Sequence, residues 1–199
     1  MHLKKFGIIL INFNNKKYEM DKPITKIKID GDIVSLRTFL ESDISNKVVS
    51  WLNDKEVVKY SNQRFLNHTH ETCLNYLKSF SNTQNIYWAI EDKKTKELYG
   101  SITAYIQDKH GTADIGLMVG NRDAWGRGVG FEAWMLMMDF LFKQCNIRKV
   151  TGGTLRNNFG MIRIMEKATM THEATRAKHE LLNGKPEDIL YFYKFSSDV

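Results

Sequence analysis

With 199 residues, 42% of them hydrophobic, the chain is long enough for one domain with a substantial core and short for two. Aromatics at 12% and only two prolines exclude a largely disordered chain. The formal charge of +6 suits an anionic ligand, but the basic residues are scattered and no RNP-like, zinc-finger or basic-zipper pattern accompanies them, which argues against nucleic acid.

Residues 1–22 are rich in Asn and Lys, lack a clear period and read as an N-terminal extension, with Met20 as a second candidate start. Their one apolar run, residues 6–11, is too short for a membrane span and has no small-residue cleavage site after it, so no membrane partner or targeting signal is expected. The domain is expected over residues 23–199. It opens with alternating residues 24–39, broken by a turn at Asp30-Gly31-Asp32. Helices are predicted over 42–51 and 69–80, capped by Ser42 and Thr69, with a loop at 61–68 between them.

Three β-prone runs, 86–90, 98–106 and 113–119, are separated by Asp-Lys-Lys-Thr and Asp-Lys-His-Gly and predict an antiparallel meander. A long apolar helix follows over 131–142, then a strand at 148–154, which makes a crossover between two parallel strands. The Met-rich face of that helix reads as core covering the sheet rather than as an interaction surface. A helix at 159–168 leads to two closing strands, 172–182 and 189–195, hinged at Asn183-Gly184. The fold class is therefore α/β, a mixed sheet flanked by helices. Cys73 and Cys145 lack CxxC spacing and fall in or beside helical segments. Neither a disulfide framework nor a metal site is expected, and a reducing, cytoplasmic setting fits. A homodimer is left open.

The chemistry is concentrated in Ile115-Gly-Leu-Met-Val-Gly-Asn-Arg-Asp-Ala-Trp-Gly-Arg-Gly-Val-Gly130, a strand running through a Gly-rich turn into a helix. Gly126, Gly128 and Gly130 permit positive φ and close backbone approach. The helix that follows adds its N-terminal dipole, and Arg122 and Arg127 add charge, so the natural guest is a phosphate or pyrophosphate. A dinucleotide fingerprint needs Gly where Phe131 stands, and a P-loop needs Gly-Lys-Ser/Thr; both fail. Spacing alone leaves a tight strand-to-helix connection as an equal reading.

This segment resembles the acetyl-CoA motif of the GNAT superfamily, Arg/Gln-x-x-Gly-x-Gly/Ala, filled here by Trp125-Gly-Arg-Gly-Val-Gly130. Trp125 followed by Glu132-Ala133 is similar to the ribosomal-protein-alanine N-acetyltransferase branch in particular. Leu36-Arg37, Trp51-Leu52-Asn53-Asp54, the stretch from Asn158 to Lys167, and Glu173 to Arg176 with Asn183-Gly184 and Asp188 extend the likeness over residues 24–195.

The resemblance implies a mostly antiparallel sheet with a splayed parallel pair at its centre and acetyl-CoA lying in the resulting V. It assigns Leu117, Met118 and Val119 to the pantetheine arm and thioester, Trp125, Gly126, Arg127, Gly128, Val129 and Gly130 to the pyrophosphate, and Asn158 to the arm. The implied reaction moves an acetyl group from acetyl-CoA to a primary amine, either a protein N-terminus or a small amine such as an amino sugar. A domain that binds acyl-CoA without turnover is the alternative.

An acceptor amine of pKa about 10.4 costs roughly 4.6 kcal/mol to deprotonate at pH 7, against about 1.4 kcal/mol for an α-amine, so a base matters for the first and is optional for the second. Asp114 is the leading base and His110 a second; Asp114 equally reads as a surface or cross-strand carboxylate. Where GNAT enzymes carry Tyr this chain has Met165, and where the branch carries Ser it has Met161, so neither donates a proton. Tyr191, with Tyr193 beside it, is the candidate acid, though alternating aromatics on a last strand also read as packing. Trp51, Asn53, Tyr60 and Arg64 occupy the region that shapes acceptor pockets in the family.

Overall fold

In a computed structural model, which describes residues 27–197, the Asp30-Gly31-Asp32 turn joins β1 (Lys28–Asp30) to β2 (Val34–Thr38). The expectations for residues 1–22, including Met20 and the 6–11 run, lie outside the described residues. Three consecutive backbone N–H groups of this hairpin, those of Asp32, Ile33 and Val34, donate to the buried carboxylate of Glu132 at 2.6, 2.8 and 2.7 Å. One carboxylate thus satisfies three donors that the turn leaves unpaired, which locks the hairpin to the crossover helix.

The remaining elements are α1 (Asn46–Asn53), α2 (His70–Lys78), β3 (Ile86–Asp92), β4 (Leu98–Gln107), β5 (Thr112–Val119), α3 (Val129–Lys143), β6 (Lys149–Leu155), α4 (Phe159–Lys167), β7 (Thr171–Leu182) and β8 (Lys185–Phe195). The eight strands form one sheet in the order β1-β2-β3-β4-β5-β6-β8-β7. Every neighbouring pair is antiparallel except β5 and β6. The mixed, mostly antiparallel sheet with a central parallel pair is the expected fold class.

The cap of α1 lies three residues later than predicted. Ser45, not Ser42, caps it by accepting from Val48 N–H, because residues 41–43 are taken up by a short 3-10 turn. That turn is pinned by Arg37, whose guanidinium donates to Asp43 at 2.7 and 2.9 Å and to Glu91 at 2.7 Å. Thr69 caps α2, as predicted, and the Thr72 side chain returns a hydrogen bond to the Thr69 N–H.

Alternation divides the sheet's side chains between two cores. Trp88, Ile102, Ile115 and Val150 face α3 and α4, where Trp134, Met137, Met138 and Met165 are almost wholly buried. The Met-rich helix is therefore core, each such side chain contributing roughly 1.5–3 kcal/mol on burial. On the opposite face Ala89, Tyr87 and Met118 meet Val48, Trp51 and Cys73 of α1 and α2. Among the described residues no helix is long and apolar enough to cross a membrane.

Candidate active site

β5 and β6 pair only from Thr112–Lys149 to Asp114–Thr151, after which they part. The parting has local causes. β5 stays paired with β4 through Val119, whereas β6 follows β8 through Leu155, so each strand is held by its outer neighbour and the facing edges stay open. A cleft of about 1210 Å³ runs through it, lined by Ile115–Val119 on one side and by Gly153, Thr154 and Asn158 on the other. The cleft joins the α3–α4 side of the sheet to the α1–α2 side.

At the α3 end the cleft is walled by Trp125, Gly126, Gly128, Val129 and Gly130. Gly126 and Gly128 have φ of +72° and +86°, a region that L side chains rarely adopt. A Cβ on Gly126 would meet nothing within 4 Å, while one on Gly130 would stand 3.0 Å from Ile164 and 3.3 Å from Leu117. Gly128 caps α3 without a side chain, so the amides of the first turn of a 15-residue helix face the cleft. Open space, bare amides and a helix dipole fit a pyrophosphate. Trp125 ties the turn to the end of β5, its indole N–H donating to Val119 O at 2.7 Å.

The cations are not where the sequence reading put them. Neither Arg122 nor Arg127 lines the cleft; Arg122 sits 3.5 Å from Asp54 and over the Trp125 ring. Arg163 and Lys167 line it instead, from across the gap on α4. Their i, i+4 spacing on the helix after Asn158 was the available signal, since it places both on one face. Asn158 lines the cleft as expected, but its amide is engaged at home: Oδ1 accepts from Met161 N–H at 3.2 Å and Nδ2 donates to Thr154 Oγ1 at 3.0 Å. Leu117, Met118 and Val119 all line it.

Asp114 and Tyr191 are brought together, but in a smaller groove of about 250 Å³ that adjoins the cleft through Tyr60, Gly153 and Thr154. Asp114 Oδ2 accepts from Thr151 Oγ1–H at 2.7 Å. Asp114 is exposed along the groove, yet the walls around its carboxyl desolvate the charged form and push it above the ordinary range, with the Thr151 hydrogen bond opposing. The Tyr191 ring packs on Gly153 and under Arg176, whose guanidinium carbon lies 4.9 Å from the ring centroid. His110 lies in the turn before β5 and lines neither cavity.

Of the acceptor candidates only Tyr60 lines the cleft. Trp51 is 7% exposed and lies flat on Gly120, where an added Cβ would be 2.3 Å from the indole; it packs instead of reaching the cleft. Asn53 accepts from His68 N–H at 3.0 Å and donates to His68 O at 2.9 Å, so it acts at one remove, holding a loop whose His68 does line the cleft. Arg64 donates to Leu181 O at 2.9 Å and lies 3.6 Å from Glu180, tying the same loop to the β7–β8 hairpin. Among the described residues no group of His, Cys, Asp and Glu is placed to hold a metal.

Residues 34–171 match the family model described as acetyltransferase (GNAT) domain. A probable N-acetyltransferase, YjcK, of Bacillus subtilis is 25% identical over 115 residues, which span 57% of this chain and 63% of that protein. Among solved structures, spermidine N-acetyltransferase from Vibrio cholerae, in complex with CoA and spermine, superposes with a TM-score of 0.74 at 18% identity, covering 84% of this chain and 98% of that one. RimL, a ribosomal L7/L12 alpha-N-protein acetyltransferase in complex with coenzyme A, gives 0.74 at 15% identity, over 85% and 97% of the two chains. With that model running from β2 through α4 and so including both strands that part at the gap, β5 and β6, the chain belongs to the GNAT family of acetyltransferases.

Proposed function

We propose that the chain transfers an acetyl group from acetyl-CoA to the primary amine of an acceptor by direct attack within a ternary complex. The observation that carries this reading is the single cleft crossing the sheet where β5 and β6 part, with a bare-amide glycine turn at one end and a side-chain-lined chamber at the other. Two reactants entering from opposite faces meet at the gap, and holding both in one complex contributes about 7 kcal/mol or more toward the barrier.

In this reading the first-turn amides of α3, with Gly128 and Gly130, hold the pyrophosphate, and Arg163 and Lys167 supply the charge first sought in Arg122 and Arg127. The edge of β5 from Leu117 to Val119 and Asn158 opposite hold the pantetheine arm. An N–H at the end of β5 polarises the thioester carbonyl. The amine nitrogen attacks that carbonyl, its proton passes to the Asp114 carboxylate directly or through one water, and the thiolate leaves with a proton from Tyr191 or solvent. The raised pKa of Asp114 suits a base better than an ordinary surface carboxylate would.

The second reading, acyl-CoA binding without turnover, draws on Met161, which lines the cleft and supplies no proton. Release of free thiol from acetyl-CoA across a broad panel of amines separates the two. Turnover with any amine supports the transferase; tight acetyl-CoA binding with no thiol release from any of them sinks it.

A further inference from the structure

The two halves of the cleft differ in chemistry. In the α1–α2 half the floor is an aromatic cluster: Tyr87 stacks on Phe39 at 4.4 Å and on Phe80 at 5.1 Å, and meets Tyr76 edge-on at 5.2 Å. Tyr76 and Tyr105 join their hydroxyls at 2.9 Å, so these two phenols satisfy each other, and burial pushes the phenols of Tyr76 and Tyr87 up, which keeps both neutral. Val48, Leu52, Val57 and Leu66 supply an aliphatic part of the wall above this floor, with Lys59, Gln63 and His68 lining the cleft as well. Leu66 is 61% exposed at its rim.

Among the described residues Glu56 is the one carboxylate lining the cleft, and it lies 3.6 Å from Lys59, which lines the cleft as well. In the adjoining groove Glu180 is already paired with Arg64 at 3.6 Å and accepts from Asn62 at 3.4 Å, which leaves Asp114 beside the gap. A polycation brings several ammonium groups out of water and needs a carboxylate for each; this chamber offers one at its wall that already has Lys59 beside it, and one, Asp114, beside the reaction point. An apolar body with one amine needs what is present.

Resting on the transferase reading, we infer that the acceptor is a monocationic primary amine on a large apolar or aromatic body, its amine at the gap and its body on the Tyr87 floor against Leu66. Two sources share that chemistry, an arylalkylamine and a peptide whose first residue is large and apolar. Polyamines and aminoglycosides do not.

The test uses the full chain saturated with CoA, a complex in which no transfer occurs, and measures binding of 2-phenylethylamine, a Phe-first tripeptide amide and spermidine by calorimetry. The parallel measurement is kcat/KM for the three amines with acetyl-CoA. Expected is at least tenfold tighter binding of one apolar amine over spermidine. Leu66→Asp, an exposed site that leaves the fold intact, should lower that preference about tenfold while acetyl-CoA affinity stays unchanged. Which apolar amine binds tells the two sources apart. Spermidine binding or reacting best overturns this inference and leaves the transferase standing. An apolar amine that binds the CoA complex best while no amine of the broad panel releases thiol from acetyl-CoA upholds the chamber's preference and sinks the transferase. Failure of both apolar amines to bind overturns the inference.

Discussion

The glycine turn at the head of α3 and the chamber between α1 and α2 lie at opposite ends of one cleft and are built from different material. The first presents backbone amides shaped by residues without side chains, Gly126, Gly128 and Gly130. The second presents side chains from five separate stretches of the chain, Phe39, Val57, Leu66, Tyr76 and Tyr87 among them. A backbone site is encoded in a few adjacent residues and tolerates no bulk. A side-chain site is spread along the chain and changes its preferences one wall at a time.

The largest effect expected from breaking the backbone end is that of Gly128→Glu. It forces a side chain into φ +86° and sets a carboxylate at the anion site, so acetyl-CoA binding should fall at least 100-fold, read by calorimetry on protein whose circular dichroism is unchanged. Unchanged affinity in the folded variant would place the phosphates elsewhere.

Next in size is Asp114→Asn, which should lower the rate at pH 7 by about 10²- to 10⁴-fold for an acceptor of high pKa, with acetyl-CoA affinity nearly unchanged. The loss should shrink as pH rises toward the acceptor's pKa. In the wild type the working form is the carboxylate, so the rate falls as pH drops through a value above the ordinary carboxylate range. Stability runs the other way. The fold favours the protonated form, so this residue's contribution is whole below the unfolded pKa and is lost as pH rises through the folded one. Asp114→Asn should therefore melt slightly higher than wild type at pH 7 and match it near pH 3. A variant active across pH 6 to 9 at the wild-type rate would remove Asp114 from the chemistry.

Glu132→Gln tests whether the hairpin brace matters as much as either end of the cleft. It trades three charge-assisted acceptor contacts for weaker ones and turns an N–H toward donors, which should cost about 2–3 kcal/mol in urea unfolding. A cost below about 0.5 kcal/mol would show that water replaces the carboxylate.

Smallest is Arg64→Ala at the acceptor end. The residue touches the loop and hairpin rather than the cleft, so KM for the amine should rise a few-fold with acetyl-CoA affinity unchanged, and stability should fall by about 1 kcal/mol or less. An equal effect on both substrates would mean that the loop supports the whole cleft.

The order of elements, the meander, the crossover helix and the glycine turn were legible in the sequence, because each rests on contacts within a few residues or on a period that repeats along one element. Thr69 with Thr72, the Asp30-Gly31-Asp32 turn and the buried Met face of α3 are examples. Tertiary structure alone decided which charges meet the cleft. Arg122 is drawn off by Asp54 and Trp125, while Arg163 and Lys167 arrive from a helix more than thirty residues further along. Trp51, Asn53 and Arg64 belong to the right region yet face inward or toward a neighbouring element, since a side chain's direction there follows from packing against Gly120, His68 and the β7–β8 hairpin. Local chemistry along the chain could name a phosphate turn, but a chamber walled by distant segments exists only once the sheet has brought them together and parted two of its strands.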